Sequence, residues 1–157
     1  MSSRSKCKST PKICVVSSCG GHLTEVRCFL GAYQNLEHFY ILNDKAILPD
    51  DMVGRTRFIV HAERNFKVLW NFYEAYRILR KEKPTMILST GAGPVVPFAL
   101  IGRWFFGCRI TFIETLTRVQ RPSLTGRLIY RLSHDFFYQW ESLRKFFPKG
   151  TYGGPLI

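Results

Sequence analysis

The chain has 157 residues, 46% of them hydrophobic, and 23 Lys and Arg against 11 Asp and Glu give a formal net charge of +12. That length suits one domain with a real core, and the charge points to an anionic partner (nucleic acid, acidic lipid or a phosphorylated substrate) or simply to a basic soluble surface. The five cysteines show no C-x-x-C spacing and read as reduced thiols rather than a disulfide scaffold or a zinc site, and no apolar stretch reaches the ~18 residues of a membrane span.

Residues 1–11 are polar and basic, lack the apolar stretch of a signal peptide, and are expected to be disordered. Residues 12–157 are expected to form one domain. KICVVSS (12–18) reads as a buried strand. GHLTEVRCFLGAY (21–33) reads as a helix with Leu23, Val26, Phe29 and Leu30 on one face. HFYILN (38–43) is a second strand, residues 44–56 a loop, and RFIVH (57–61) a third strand. NFKVLWNFYEAYRILRKEK (65–83) is the clearest helix, with Leu69, Phe72, Tyr73, Tyr76 and Leu79 as its apolar stripe and Pro84 as its stop.

TMILST (85–90) is a fourth strand, followed by GAGP, whose Pro94 suits the first turn of a helix. PVVPFALIGRWFF (94–106) is apolar enough to fill a core or to dock on a membrane. CRITFIE (108–114) is a fifth strand, SLTGRLIYRLS (123–133) a helix, DFFYQ (135–139) a sixth strand, and 141–147 a short helix before GTYGGPLI. Residues 101–131 hold Arg103, Arg109, Arg118, Arg121, Arg127 and Arg131, with Glu114 as the single acid.

Strands alternating with helices predict an α/β fold, a parallel sheet with helices on both faces. Right-handed crossovers put the loops that follow each strand on one edge, where such sheets bind ligands. SSCGGH, STGAGP and ETLTRVQRPS all fall there. The first is neither a G-x-G-x-x-G dinucleotide fingerprint nor a P-loop. It is not a tyrosine-phosphatase loop either, because Glu25 stands where that loop needs Arg.

Gly20 and Gly21 would let a ligand approach the backbone at a helix start. His22, in the first turn, would be kept neutral there and could act as a base toward a hydroxyl; the other reading is a histidine that packs on the turn. Gly91, Gly93 and Pro94 form a second glycine-rich turn, where Thr90 and the helix amides could hold an anion or a sugar hydroxyl, or which could be a plain tight turn. Glu114, at the end of an apolar strand, could accept hydrogen bonds from a sugar or pair with Arg118 or Arg121.

SSCGGHLTE, STGAGPVVP, ETLTRVQRPSLTGRLIYRLSHDFFYQWESL and FPKGTYGGPLI, in this order, resemble the bacterial PssD/CpsF-type polysaccharide biosynthesis proteins. Those are relatives of the membrane-anchoring subunit of the eukaryotic dolichol-linked UDP-N-acetylglucosamine transferase and of the N-terminal domain of MurG. The resemblance implies a Rossmann-like domain equivalent to the N-terminal half of a GT-B glycosyltransferase. On this reading Gly20, Gly21 and His22 correspond to the end of the first glycine loop, and Gly91, Gly93 and Pro97 to the second. Glu114 corresponds to the acid after the fifth strand.

The resemblance further implies one half of a hexosyltransferase in exopolysaccharide or capsule synthesis, inactive alone and peripheral at the cytoplasmic face of the membrane. His22 would be the catalytic base. Gly20, Gly21, Thr90, Gly91, Gly93, Glu114, Arg118 and Arg121 would bind a polyprenyl-diphosphate-sugar acceptor. No metal or cofactor is expected on this chain; the UDP-sugar would sit on a separate donor-binding partner subunit. The alternative is a non-catalytic membrane anchor that only recruits that partner. A nucleic-acid binder is disfavoured, because the aromatic residues follow helix and strand periods that favour burial.

Overall fold

The computed structural model describes residues 10–43, 48–60, 67–91 and 93–155. The disorder expected for residues 1–11 therefore lies outside the described residues up to residue 9. So do residues 44–47 of the expected loop, His61 of the third strand, residues 65–66 of the long helix, Ala92, and the last two residues.

Among the described residues, seven parallel strands form one sheet in the order β3-β2-β1-β4-β5-β6-β7. They are β1 (Lys12–Val16), β2 (Glu37–Asn43), β3 (Thr56–Ile59), β4 (Met86–Ser89), β5 (Arg109–Ile113), β6 (Asp135–Tyr138) and β7 (Thr151–Tyr152). β1 lies inside the sheet, with Cys14 paired to Phe39 on one side and to Ile87 on the other. Its continuous apolar run follows from burial on both faces, as parallel sheets require. Between β1 and β4 the strand order reverses direction, which opens a crevice at their carboxyl ends.

Among the described residues, five α-helices join the strands: α1 (Gly21–Cys28), α2 (Leu30–Tyr33), α3 (Lys67–Glu82), α4 (Val95–Phe106) and α5 (Leu124–Tyr130). Cys14, Val16, Ile87 and Phe112 of the sheet pack with Ala75 and Leu79 of α3, Phe98 of α4 and Ile129 of α5. Val15, Tyr40 and Leu42 pack on the other face with Leu23 and Val26 of α1 and Tyr33 of α2. Beyond α2 that same face of β4, β5 and β6 is left as an apolar hollow of about 460 Å³, lined by Ile13, Phe29, Tyr33, Leu88, Ile113 and Phe137 among others.

Several expected elements differ in detail. The helix read over 21–33 is two helices, because Phe29 (φ −91°, ψ 6°) breaks the turn between α1 and α2. The helix read over 123–133 stops at Tyr130, and that over 141–147 is a single 3-10 turn at Glu141–Leu143. β7, two residues long, was not anticipated; its pairing to Tyr138 is too short to leave a periodic signal.

The stripe assigned to the long helix is displaced. The buried line of α3 is Asn71, Ala75 and Leu79. Leu69 (70% exposed) and Tyr73 (53%) face outward. A helix apolar on more than one side gives no single face from spacing, and packing on the sheet selected the narrower residues.

Candidate functional site

β1 ends at Val16, and the chain turns toward β2, where the Cys19 amide donates to Asn43 Oδ1 at 3.0 Å. Gly20 then adopts φ 97°, a left-handed conformation that opens α1. Its carbonyl accepts from the amides of Leu23 and Thr24 at 3.0 and 3.2 Å. His22 thus stands in the first turn of α1, at the carboxyl edge of the sheet.

Two neighbours fix the His22 backbone and ring from β4. The Thr90 hydroxyl donates to the His22 carbonyl at 2.9 Å. The ring lies on Gly91, where an added Cβ would sit 2.9 Å from its Cε1 atom. Gly91 has φ 131° and is itself braced by Ser89, whose hydroxyl meets both its carbonyl and its amide at 3.1 Å. Thr90 is buried, so its hydroxyl serves His22 and is not presented to a ligand. Above Gly20, Gly21 and Gly93 there is open space instead: no heavy atom would lie within 4 Å of an added Cβ.

Glu25, one turn along α1, faces the same ring, with Oε2 3.5 Å from His22 Nδ1. Its Oε1 accepts from the Thr115 hydroxyl at 2.9 Å and the Leu116 amide at 2.6 Å. Burial pushes the carboxyl pKa up, but His22, the Leu116 amide and the Thr115 hydroxyl together outweigh it and hold the group below its ordinary value. Glu25 therefore stands as an anion between the histidine and the loop after β5. The H-L-T-E spacing carries this i,i+3 pair in the sequence, but the Thr115 and Leu116 half comes from a loop about 90 residues away.

That loop also carries Arg118 and Arg121, both exposed and without an ion pair among the described residues. It is pinned by Trp140, whose ring N–H donates to the Leu116 carbonyl at 2.6 Å, and by Ser142, which donates to the Val119 carbonyl. Three other members of the arginine cluster have structural partners. Arg109 makes a bidentate pair with Asp135 at 2.6 and 2.7 Å, Arg103 donates to the Leu132 carbonyl, and Arg127 lies over the Phe146 ring at 6.0 Å.

Glu114 does not join the open part of the site. It is fully enclosed, its carboxyl packed on Gly126 so closely that an added Cβ there would fall 1.7 Å from Oε2. Burial raises its pKa; nearby Ser123, the Thr115 amide and the Arg118 charge oppose this without completing a hydrogen bond to either oxygen. In this arrangement a sugar could reach it only if the start of α5 moved away.

The opposite, outer side of the molecule is aromatic. Leu69, Trp70, Tyr73 and Tyr76 of α3 and Trp104 and Phe105 of α4 are all exposed, and the Tyr76 and Phe105 rings meet edge to face at 6.3 Å. Arg77, Arg80, Lys81 and Lys83 are exposed beside them. The expected burial of the aromatic residues is thus corrected for these positions, and with it the ground on which nucleic acid was disfavoured. Among the described residues no helix is long and apolar enough to cross a membrane.

A family described as "Alg14: Oligosaccharide biosynthesis protein Alg14 like" matches residues 53–156. The human "UDP-N-acetylglucosamine transferase subunit ALG14" is 24% identical over 180 residues, covering 92% of this chain and 82% of that protein. The Candida albicans protein of the same name is 34% identical over 94 residues, 57% of this chain and 43% of that one.

Among solved structures, Acinetobacter baumannii MurG has a TM-score of 0.70 at 14% identity, covering 84% of this chain and 42% of MurG. A UDP-N-acetylglucosamine 2-epimerase from Rickettsia bellii has a TM-score of 0.74 at 12% identity, covering 94% and 46%. The chain thus spans less than half of these two structures. The shared feature is the fold, a Rossmann-like parallel sheet of the kind found in GT-B glycosyltransferases and these epimerases.

Proposed function

The chain belongs to the Alg14-like family of oligosaccharide biosynthesis proteins, and from that premise we propose that it is the membrane-associated, acceptor-binding subunit of a two-component UDP-sugar glycosyltransferase. The acceptor is a polyprenyl-diphosphate-linked sugar at the cytoplasmic face of the membrane. The polymer context carried forward from the sequence resemblance is exopolysaccharide or capsule. The single observation that carries the reading is the seat of His22: its side chain, 31% exposed, is braced by Gly91 and Glu25 at the crevice edge, and the glycines that precede it, Gly20 and Gly21, have open space around them.

In this reading the acceptor hydroxyl gives its proton to His22 Nε2 as its oxygen bonds to the anomeric carbon of the donor sugar. The bond from that carbon to the nucleoside diphosphate breaks, and the leaving diphosphate keeps the electron pair. The donor and the stabilisation of that leaving charge belong to the partner subunit. Arg118 and Arg121, exposed and without an ion pair among the described residues, meet the acceptor diphosphate, for which guanidinium geometry is suited. The aromatic face of α3 and α4, bordered by basic residues, rests on an anionic leaflet. The apolar hollow, whose lining includes Gly153 and Gly154 near the chain end, offers the partner an apolar surface.

The test is transfer from radiolabelled UDP-sugars to a polyprenyl-diphosphate-sugar acceptor in membranes, with this chain alone, a donor-binding partner alone, and both. Activity only with both, lost in His22→Ala, is expected. Activity with the partner alone would reduce the chain to an anchor. Full activity of His22→Ala in the assembled complex would remove the base assignment.

A further inference from the structure

His22 Nδ1 and Glu25 Oε2 are both buried, and neither has a hydrogen-bond partner within ordinary geometry among the described residues. They face each other at 3.5 Å. A buried polar atom left without a partner is costly, and a proton on Nδ1 directed at Oε2 relieves both atoms at once. The carboxylate cannot turn away, because its other oxygen is held by Thr115 and Leu116. The imidazole cannot retreat, because Gly91 lies beneath it and Thr90 holds its backbone.

We propose that Glu25 is the positioning residue for His22, and that it registers the base against the arginine-bearing loop after β5. The proposal rests on the reading of His22 as the base. Glu25 keeps the proton on Nδ1, which leaves the Nε2 lone pair for the acceptor hydroxyl, and its charge stabilises the imidazolium that forms when Nε2 takes the proton. Because the same carboxylate grips Thr115 and Leu116, the base and the loop carrying Arg118 and Arg121 are held in one frame. A sugar hydroxyl and its diphosphate are then read at a fixed separation.

Glu25→Gln separates this role from a purely structural one. Its amide oxygen still accepts from Thr115 and Leu116, but no anion faces Nδ1. In the assembled two-subunit enzyme we expect kcat to fall about tenfold or more, with the acceptor KM unchanged and only a modest drop in melting temperature from the lost charge. Read against the small residual rate of His22→Ala, the loss should vanish in that background, since a residue acting through another is not additive with it. In the same chain, ¹⁵N spectra of His22, assigned by its absence in His22→Ala, should show the Nδ1–H tautomer and should change in Glu25→Gln.

Full activity of Glu25→Gln beside an inactive His22→Ala would overturn the inference and leave the base reading standing. An equal loss in both backgrounds would make Glu25 a strut and overturn it too. Activity retained by His22→Ala would sink both together. Unchanged ¹⁵N shifts in Glu25→Gln would also exclude the proposed control of the tautomer.

Discussion

The His22 imidazole rests directly on the Gly91 backbone, so that a methyl group on Gly91 would lie 2.9 Å from Cε1 and 3.2 Å from Nδ1. Gly91 also has φ 131°, a region that side-chain-bearing residues rarely adopt. Gly91→Ala therefore meets two penalties, the backbone strain and the ring. The strained backbone alone costs roughly 1–3 kcal/mol, visible as a lower melting temperature. The displaced ring also leaves Glu25, so transfer activity falls further than stability explains. Gly93→Ala is the control: the space around it is open and its φ is ordinary, so its melting curve should match that of the parent. Equal melting of all three proteins would show that Gly91 is not needed for the seat.

The site was legible in pieces. The glycines and His22 were visible because a histidine after two glycines at a strand end has little reason to be there as a turn. The convergence of three loops followed from β–α alternation alone. Thr90 stands out in the sequence, but its partner does not, because its hydroxyl bonds to a main-chain carbonyl 68 residues away. In the sequence Glu25 argues only against a phosphatase loop. Its role depends on Thr115 and Leu116, and tertiary pairs of this kind leave no local period. The aromatic face was misread for a related reason. Spacing gives the period of a helix, but which of two apolar sides goes inward is decided by the sheet beneath it.

Glu114 supplies a pH test of the core next to the site. Burial raises its folded pKa above the unfolded carboxylate value of about 4.3. The native state therefore binds the proton more tightly than the unfolded chain, and its contribution is fully present below the unfolded value. It is lost as pH rises through the folded value. Glu25, Glu82 and Asp135 have lowered values and work in the opposite sense, losing their contributions as pH falls. Glu114→Gln cannot ionise, so it should melt close to the parent near pH 4 and progressively higher than the parent as pH rises toward 8. A gap that stays constant with pH would show that Glu114 carries no ionisation penalty in the folded chain.

The outward aromatic face gives the sharpest division between a membrane subunit and a nucleic-acid binder. Trp104 and Phe105 are 68% and 67% exposed, and Leu69 and Trp70 are 70% and 55% exposed. None of these side chains fills the core, so changing them should leave stability within about 0.5 kcal/mol. Fully burying one such side chain in the interfacial layer of a bilayer is worth about 1.5–3 kcal/mol. The pair Trp104→Ser and Phe105→Ser should therefore lower binding to vesicles containing anionic lipid by tenfold or more at fixed salt. Arg77→Gln and Arg80→Gln should each cost about 1 kcal/mol, near fivefold, and only on the anionic vesicles. Their effect should shrink as salt rises, whereas that of the aromatic pair should persist, because burial of apolar surface is not screened. Co-sedimentation with vesicles of graded anionic content, beside retention on DNA over the same salt series, measures all of this. If the aromatic variants keep full vesicle binding but lose DNA, the face belongs to a nucleic-acid site and the membrane role fails.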